Sequence, residues 1–505
     1  MKAERTDNFT DYLKILSGAS QNVVGLVVAA LATLAAQVLI TRTLGPEGFG
    51  VVTVLTQAAF VISFATRAGM DMAVLRDVAV ESGRGRLAFV RSPVLRAVVI
   101  AGGVSLLATL AVLLAAQGVR SAFSLDPARS RWAVEAAALG LPFLAATNVW
   151  LAATRGLKLM RYTLYIFWAG QPLGWIVLML AGWTFAETPW MSVLAYSVSW
   201  MLAAAAAFIA WRSQSGRWDR EPLEPGSLGR LWRYAAPRAP AALFSQLLFW
   251  TDLFVLTRYA TAAEVGVYSA VLRSAQALVL FLTSVSLMFS PFIADLHARG
   301  ETAHLDRLYK VLTRWTLAAT LPLFLLLAVA PGAVLGIFGA AFAGGRDALL
   351  VLLAGQLVNI ATGSAGFALI MVGRTGWDLV VIAGALVLDL VLAFWLCPRY
   401  GMIGAAAANA AAFAAANITR IVLIKRFIGI QPYDRNYGRL ILPALSGLVT
   451  MMVAHWLAGP SWATDLLVTG SLGTLAYGAT YLVTGLTTPE RRALRSLLAS
   501  RREAA

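Results

Sequence analysis

The sequence predicts an all-α integral membrane protein. It reads as about fourteen transmembrane helices in two six-helix lobes around a central cavity, plus two extra C-terminal helices. Three observations predict this class. Of 505 residues, 59% are hydrophobic and only 13% charged, with mean hydropathy +0.73, whereas a soluble domain carries roughly 25% charged residues. The apolar residues fall in stretches of about 20, the length that crosses a ~30 Å hydrocarbon core. Finally, Thr41-Arg42 and Gly50 recur 216 residues later as Thr257-Arg258 and Gly266, each copy lying between two long apolar runs. One helix–loop–helix unit therefore occurs twice, and duplicated helical lobes with a site between them are a common transporter plan.

The elements follow in order. A polar segment, residues 1–16, precedes an apolar run too long for the core of a cleaved signal peptide, so the run reads as a retained span. Spans at 17–41, 50–75, 92–116, 132–153, 161–182 and 190–211 make an N-terminal lobe over 17–211. Span one carries Gln21, Gly25, Ala29, Thr33 and Gln37 at four-residue steps, a small, polar ridge that lets a neighbouring helix approach. Gly45-Pro46 marks a turn between the first two spans. Asp126-Pro127 stands where an N-cap and first turn are expected ahead of span four.

Residues 212–238 form the longest polar stretch, with Ser213, Gly216, Pro222, Pro225 and Gly226, and read as a cytoplasmic linker. A second lobe over 239–427 holds spans at 239–257, 265–291, 311–338, 347–371, 378–396 and 403–424, with Tyr400-Gly401 as a turn signal. Spans 440–458 and 465–486 make the extra pair within 428–486, and 487–505 is a basic tail. The remaining loops are too short to hold a soluble catalytic domain.

A net charge of +16 raises the question of nucleic acid. Its placement answers it. With the N-terminus in the cytoplasm, about three quarters of the 41 Lys and Arg fall in inward segments, the asymmetry of the positive-inside rule. Both termini are then cytoplasmic. The tail residues Arg491, Arg492, Arg495, Arg501 and Arg502 read as a topology signal resting on anionic membrane lipid, and no aromatic-studded basic groove points to nucleic acid. Cys397 is the only cysteine, which excludes an internal disulfide and a cysteine-based metal cluster.

Several short segments carry a resemblance. Leu44-Gly45-Pro46-Glu47-Gly48-Phe49-Gly50 and Ala68-Gly69-Met70 leading to Leu75-Arg76-Asp77 resemble the polysaccharide flippases of the multidrug/oligosaccharidyl-lipid/polysaccharide exporter superfamily. Glu264-Val265-Gly266-Val267-Tyr268-Ser269 and Tyr400-Gly401-Met402-Ile403-Gly404-Ala405-Ala406 look like that family's second-half counterparts. The resemblance implies a two-lobed transporter of the bacterial cytoplasmic (inner) membrane. Its cargo would be a polyprenyl-diphosphate-linked glycan for cell-surface polysaccharide, and its partners a polysaccharide polymerase or export machinery. The motifs are structural and do not specify the glycan. Peptidoglycan-precursor flippases and cation-coupled drug exporters are neighbours in the superfamily. A membrane-embedded glycan polymerase or ligase is the alternative of another class, disfavoured by short outward loops and duplicated halves.

Charges inside spans are the next signal, because each costs roughly 2.5–3.5 kcal/mol at a helix centre and so faces a cavity, a partner or the interface. Arg67, Arg273, Asp252 and Asp389 are the best placed. Arg67 closes a stripe of Thr53, Thr56, Phe60 and Ser63 at steps that share one helical face. Ser269, Arg273, Gln276, Leu280, Thr283 and Leu287 form a similar stripe in the second lobe. Arg67 and Arg273 are assigned to diphosphate or acidic sugars, which guanidinium binds bidentately; the alternative for Arg67 is to snorkel to the cytoplasmic surface. Gln57, Gln276 and Asn148 are candidate hydrogen-bonders in the cavity. Asp252 and Asp389 either balance the arginines or couple transport to H+ or Na+. Arg42, Arg258 and Arg155 are gate or entry candidates, with interfacial anchoring as their plainer role. His297, His304 and His455 read as solvated or packed side chains. No cofactor is implied, and no phosphate loop, nucleophile elbow or zinc-protease motif occurs.

Overall fold

The structure is a computed structural model, and it describes residues 2–86, 89–127, 130–215, 227–488 and 490–491. Part of the linker and most of the basic tail lie outside the described residues, as do the side chains of Gln21 and Leu287 and the burial of Gly25. Every regular element described is helical. In chain order these are α1 (Lys2–Thr66), α2 (Met70–Gly83), α3 (Arg91–Leu114), α4 (Ala116–Ala122), α5 (Ala133–Leu139), α6 (Leu141–Gly156), α7 (Gln171–Trp183), α8 (Pro189–Ser215) and α9 (Ser227–Leu256). They continue as α10 (Ala262–Gln276), α11 (Val279–Ala298), α12 (Thr302–Val329), α13 (Pro331–Gly336), α14 (Arg346–Ala361), α15 (Ala365–Met371), α16 (Thr375–Ile428), α17 (Ile441–Leu457) and α18 (Trp462–Thr480).

Twelve helical segments among the described residues are long and apolar enough to cross a membrane. Two of them are broken from within. Gly45 (φ 67°, ψ −174°) interrupts α1 and Gly401 (φ 53°, ψ −130°) interrupts α16. Both are the glycines expected to mark turns. In place of an open turn, one residue in a conformation that only glycine adopts cheaply joins two helices end to end. Pro46, which lacks an N–H, follows the first break directly.

Two expected boundaries shift. The second span ends early: α1 stops at Thr66 and α2 begins at Met70, with Ala68 (φ 49°) and Gly69 (φ 72°) both left-handed between them. A Cβ on Gly69 would stand 2.6 Å from the Ala235 carbonyl oxygen, so contact as well as φ requires glycine. Asp126 does not cap the fourth span. Its carbonyl accepts from Ser130 N and Oγ, and α5 starts only at Ala133, after Trp132 in a left-handed conformation.

The chain packs as two compact units. One comprises Ser20–Ala270 and Leu379–Ala412. One hydrophobic core in it joins α2, α3, α6, α8 and α9 around Val74, Val94, Val149, Ala207 and Trp211. On α3 a stripe of Pro93, Ala97, Ala101, Ser105 and Thr109 is buried at four-residue steps, while Leu106, Leu107, Leu110 and Leu114 are exposed. Small residues bring helices close, and the bulky apolar stripe is what a lipid-facing surface requires. The other unit comprises Met1–Ala19, Val271–Asp378 and Phe413–Ala505. A hydrophobic core in it joins α11, α12, α15 and the end of α16 around Phe289, Leu308, Tyr309, Leu369 and Ile424. The extra pair, α17 and α18, forms a hairpin in which Gly447 accommodates Tyr477 and Gly473 accommodates Met451. The Tyr477 hydroxyl donates to the Ala318 carbonyl at 2.8 Å, fixing the hairpin on α12.

Candidate functional site

The two copies of the repeat meet. A Cβ on Gly50 would lie 2.6 Å from the Ala262 carbonyl oxygen and 3.0 Å from Gly266 N; one on Gly266 would lie 1.8 Å from the Pro46 carbonyl oxygen. Thr41 donates to Val38 O and Thr257 to Phe254 O, each three residues back. Arg42 and Arg258 are both exposed. The shared motif is thus a close backbone crossing, with the hydroxyls satisfying their own helices.

Arg67 sits at the break after α1. It is only 3% exposed, so it does not snorkel. Its Nε donates to Ser63 O at 3.0 Å, its Nη1 donates to Asp71 Oδ2 at 3.0 Å, and its guanidinium carbon lies 3.8 Å from the centre of the Phe64 ring. Nη2 is buried without a hydrogen-bond partner among the described residues. Arg155, on α6, interacts electrostatically with both Asp71 and Arg67. Asp71 thus bonds Arg67 while Arg155 lies within electrostatic reach of both, so these three groups are net positive and one Arg67 donor is unsatisfied among the described residues. The stripe leading to it is buried: Thr56 donates to Val52 O and Ser63 to Phe60 O, which spends their hydroxyls on the helix itself.

Asp252 and Asp389 are fully buried. Neither makes an ion pair with a described residue. Asp252 Oδ2 accepts a short hydrogen bond from the Tyr268 hydroxyl, while both oxygens of Asp389 lack hydrogen-bond partners among the described residues. The two carboxyls interact electrostatically with each other. The carboxylate that balances Arg67 is Asp71.

The other candidates stand apart. Asn148 Nδ2 donates to Leu144 O, one turn back on α6. Gln57 is half-buried. Arg273 and Gln276 are half-buried near the end of α10, which stops at Gln276; the stripe expected through Leu287 is broken where α11 begins at Val279. His455 Nδ1 lies 2.9 Å from both carboxylate oxygens of Asp465, which also accepts from Thr469. His304 Nδ1 lies 3.4 Å from Glu301.

Sequence reading missed Asp71, Tyr268 and Asp465 as partners. Asp71 carried a signal, since it stands four residues after Arg67. Tyr268 carried none, because its bond to Asp252 joins two helices.

The model of one family, described as polysaccharide biosynthesis protein, matches residues 15–297. The chain belongs to this family. Among curated relatives, a probable low-salt glycan biosynthesis flippase of Haloferax volcanii is 21% identical over 248 residues, 49% of this chain and 52% of the relative. The polysaccharide biosynthesis chain thus spans about half the length of the curated relative it matches. Among solved structures it is similar to the lipid II flippase MurJ in an inward closed conformation (TM-score 0.69, 12% identity, 91% of this chain and 97% of that one). It is also similar to a multidrug resistance MATE family transporter of the MOP superfamily in an inward-facing conformation (TM-score 0.68, 14% identity, 79% and 94%). The fold is that of the MATE and MurJ transporters.

Proposed function

We propose that this protein is a flippase that moves a polyprenyl-diphosphate-linked oligosaccharide across the cytoplasmic membrane by alternating access, for cell-surface polysaccharide biosynthesis. The observation that carries the reading is the Arg67–Asp71–Arg155 cluster. It sets two guanidiniums against one carboxylate in a membrane-spanning chain of the polysaccharide biosynthesis family. Net positive charge in a low-dielectric site attracts a diphosphate far more strongly than the same charge in water. The curated relative, named as a glycan biosynthesis flippase, supports the same direction.

Arg67 is closed off in the conformation described, so a cargo reaches it only when the site opens. The left-handed pair Ala68 and Gly69 beside it is where the backbone can redirect α2 without breaking either helix. Each of the two long kinked segments crosses the membrane twice in this reading, which gives fourteen crossings and cytoplasmic termini. Arg273 adds a second cationic contact, and Gln57, Gln276 and Asn148 serve the glycan. Arg42 and Arg258 mark the outward ends of the repeat. One of Asp252 and Asp389 carries the coupling H+ or Na+; burial without a cationic partner favours this role over charge balance.

Reconstitution tests the reading. The lipid-linked glycan pool from cells that make the protein is followed between vesicle leaflets, with Arg67→Ala and Arg273→Ala alone and together. The expected result is transport by the unaltered protein and loss of at least tenfold in the double variant. Unaltered movement in the double variant overturns the cationic site. An Asp389→Asn protein with undiminished ion dependence removes Asp389 as the coupler.

A further inference from the structure

A second polar face lies within the unit that contains α14 and the end of α16. On α14, Leu350 and Ala354 are exposed, while Gln356 and Asn359 lie on the other side, Gln356 buried and Asn359 half-buried. On α16, Ile418 and Val422 are exposed, while Asn417 is buried and Arg420 half-buried away from them. Asn417 Nδ2 donates to Asn359 Oδ1 at 3.2 Å and to Phe413 O at 2.9 Å, and Asn359 Nδ2 donates to Gln356 Oε1 at 3.1 Å. Beside this ladder, Arg420 Nε and Nη2 bond Asp378 Oδ1 at 2.9 and 2.8 Å. A Cβ on Gly366 would lie 3.1 Å from the Arg420 guanidinium carbon, so α15 packs its backbone against that pair.

In a membrane-spanning chain the exposed apolar stripes of these helices meet lipid. A half-buried carboxamide turned away from lipid meets water or a polar ligand, because hydrocarbon satisfies none of its hydrogen bonds. The ladder uses only part of its capacity. Among the described residues, Asn417 Oδ1, the second Asn359 Nδ2 hydrogen and Gln356 Nε2 take no further hydrogen bond and remain as acceptor and donors. Mixed donors and acceptors match hydroxyl groups, which do both. The charge is also different from that at Arg67: Arg420 and Asp378 cancel, so nothing here favours an anion.

We propose that Gln356, Asn359 and Asn417, beside the neutral Arg420–Asp378 pair, form a hydroxyl-binding subsite for the sugar part of the cargo. This rests on the flippase reading above and extends it, separating glycan recognition from diphosphate recognition.

The test uses the full chain in lipid vesicles and two probes. One is the lipid-linked oligosaccharide pool extracted from cells that make the protein. The other is the same pool trimmed by glycosidases to the polyprenyl-diphosphate monosaccharide. The readout is the ratio of their transport rates. Asn359→Leu is expected to lower the ratio of full to trimmed cargo about tenfold, the scale of one or two lost hydrogen bonds. A triple variant, Gln356→Leu with Asn359→Leu and Asn417→Leu, removes the whole ladder without leaving an unpaired amide, and is expected to do the same if the single variant fails to fold. A wild-type protein that moves neither lipid overturns the flippase reading. A wild type that moves both, with variants that keep its ratio or lose both lipids equally, overturns the subsite alone and leaves the ladder as a helix-to-helix contact.

Discussion

In the first copy of the repeat, Arg67 and Asp71 form a buried ion pair; at the equivalent positions 216 residues on, the sequence has Thr283 and Leu287. The reverse holds for the aspartate. Asp252 and Tyr268 form a buried hydrogen bond in the second copy, where the first has Ala36 and Val52, both buried and apolar. The helix breaks differ too. The first copy breaks at Arg67–Gly69 with two left-handed residues, whereas the second breaks between Gln276 and Val279, and neither Ala277 nor Leu278 has a positive φ. What the copies share is the crossing of Gly50 and Gly266 and the threonines that precede it. Duplication has kept the backbone contact and dispersed the ionisable groups, so each copy carries chemistry that the other lacks.

The largest way to break this comparison is at Asp71. Asp71→Ala strands a buried guanidinium, and removing one partner of a buried pair costs about 3–5 kcal/mol. The melting temperature in detergent should fall sharply. The double replacement Arg67→Leu with Asp71→Leu should recover part of that loss, because it removes the stranded guanidinium and leaves only the half-buried Arg155 without the carboxylate. A neutral single variant would show that the first copy does not depend on its ion pair.

Next comes the shared crossing. Gly266→Ala places a methyl 1.8 Å from a carbonyl oxygen, against 2.6 Å for Gly50→Ala. Overpacking of this kind costs about 1–3 kcal/mol or more. Gly266→Ala is expected to melt lower than Gly50→Ala; the opposite order would contradict the geometry of the crossing. Tyr268→Phe removes a donor from a buried carboxyl and should cost about 1–3 kcal/mol. Val52→Tyr cannot be its mirror, since Ala36 offers no acceptor, and should only destabilise. The smallest effects belong to Arg42→Gln and Arg258→Gln. Both side chains are exposed, so each should change stability by less than about 0.5 kcal/mol. A larger loss of stability in either would show that the exposed ends of the copies also carry structure.

Much of the fold was legible because it is set by local quantities. Segment length and hydropathy identify membrane-crossing helices, and the glycines at 45 and 401 mark the breaks because few other residues adopt those angles. The site was legible only in part. Arg67 was singled out because charge inside an apolar run is rare, and Arg42 and Arg258 because they stand at equivalent places in the repeat; the structure shows the first buried and the other two exposed. The stripe from Ser269 to Leu287 assumed an unbroken helix, and the gap after Gln276 divides it. Asp126-Pro127 matched a capping pattern, yet the helix starts at Ala133. A capping pattern locates a candidate start, and packing decides which candidate is used.

By itself, the sequence determined a helical membrane chain with a duplicated unit, because burial in lipid forces every backbone group into helical hydrogen bonds and leaves a readable hydrophobic length. Only the tertiary structure decided which polar groups meet. It put Asp71 and Arg155 on Arg67, Tyr268 on Asp252, and Asn359 between Gln356 and Asn417. Arg155 with Arg67 and Asn417 with Asn359 bring together helices distant in the chain, and Tyr268 with Asp252 joins two consecutive ones. A few ångströms of helix placement settle whether a charge is balanced, satisfied or left open, and that distance is not written in the spacing of residues along one helix.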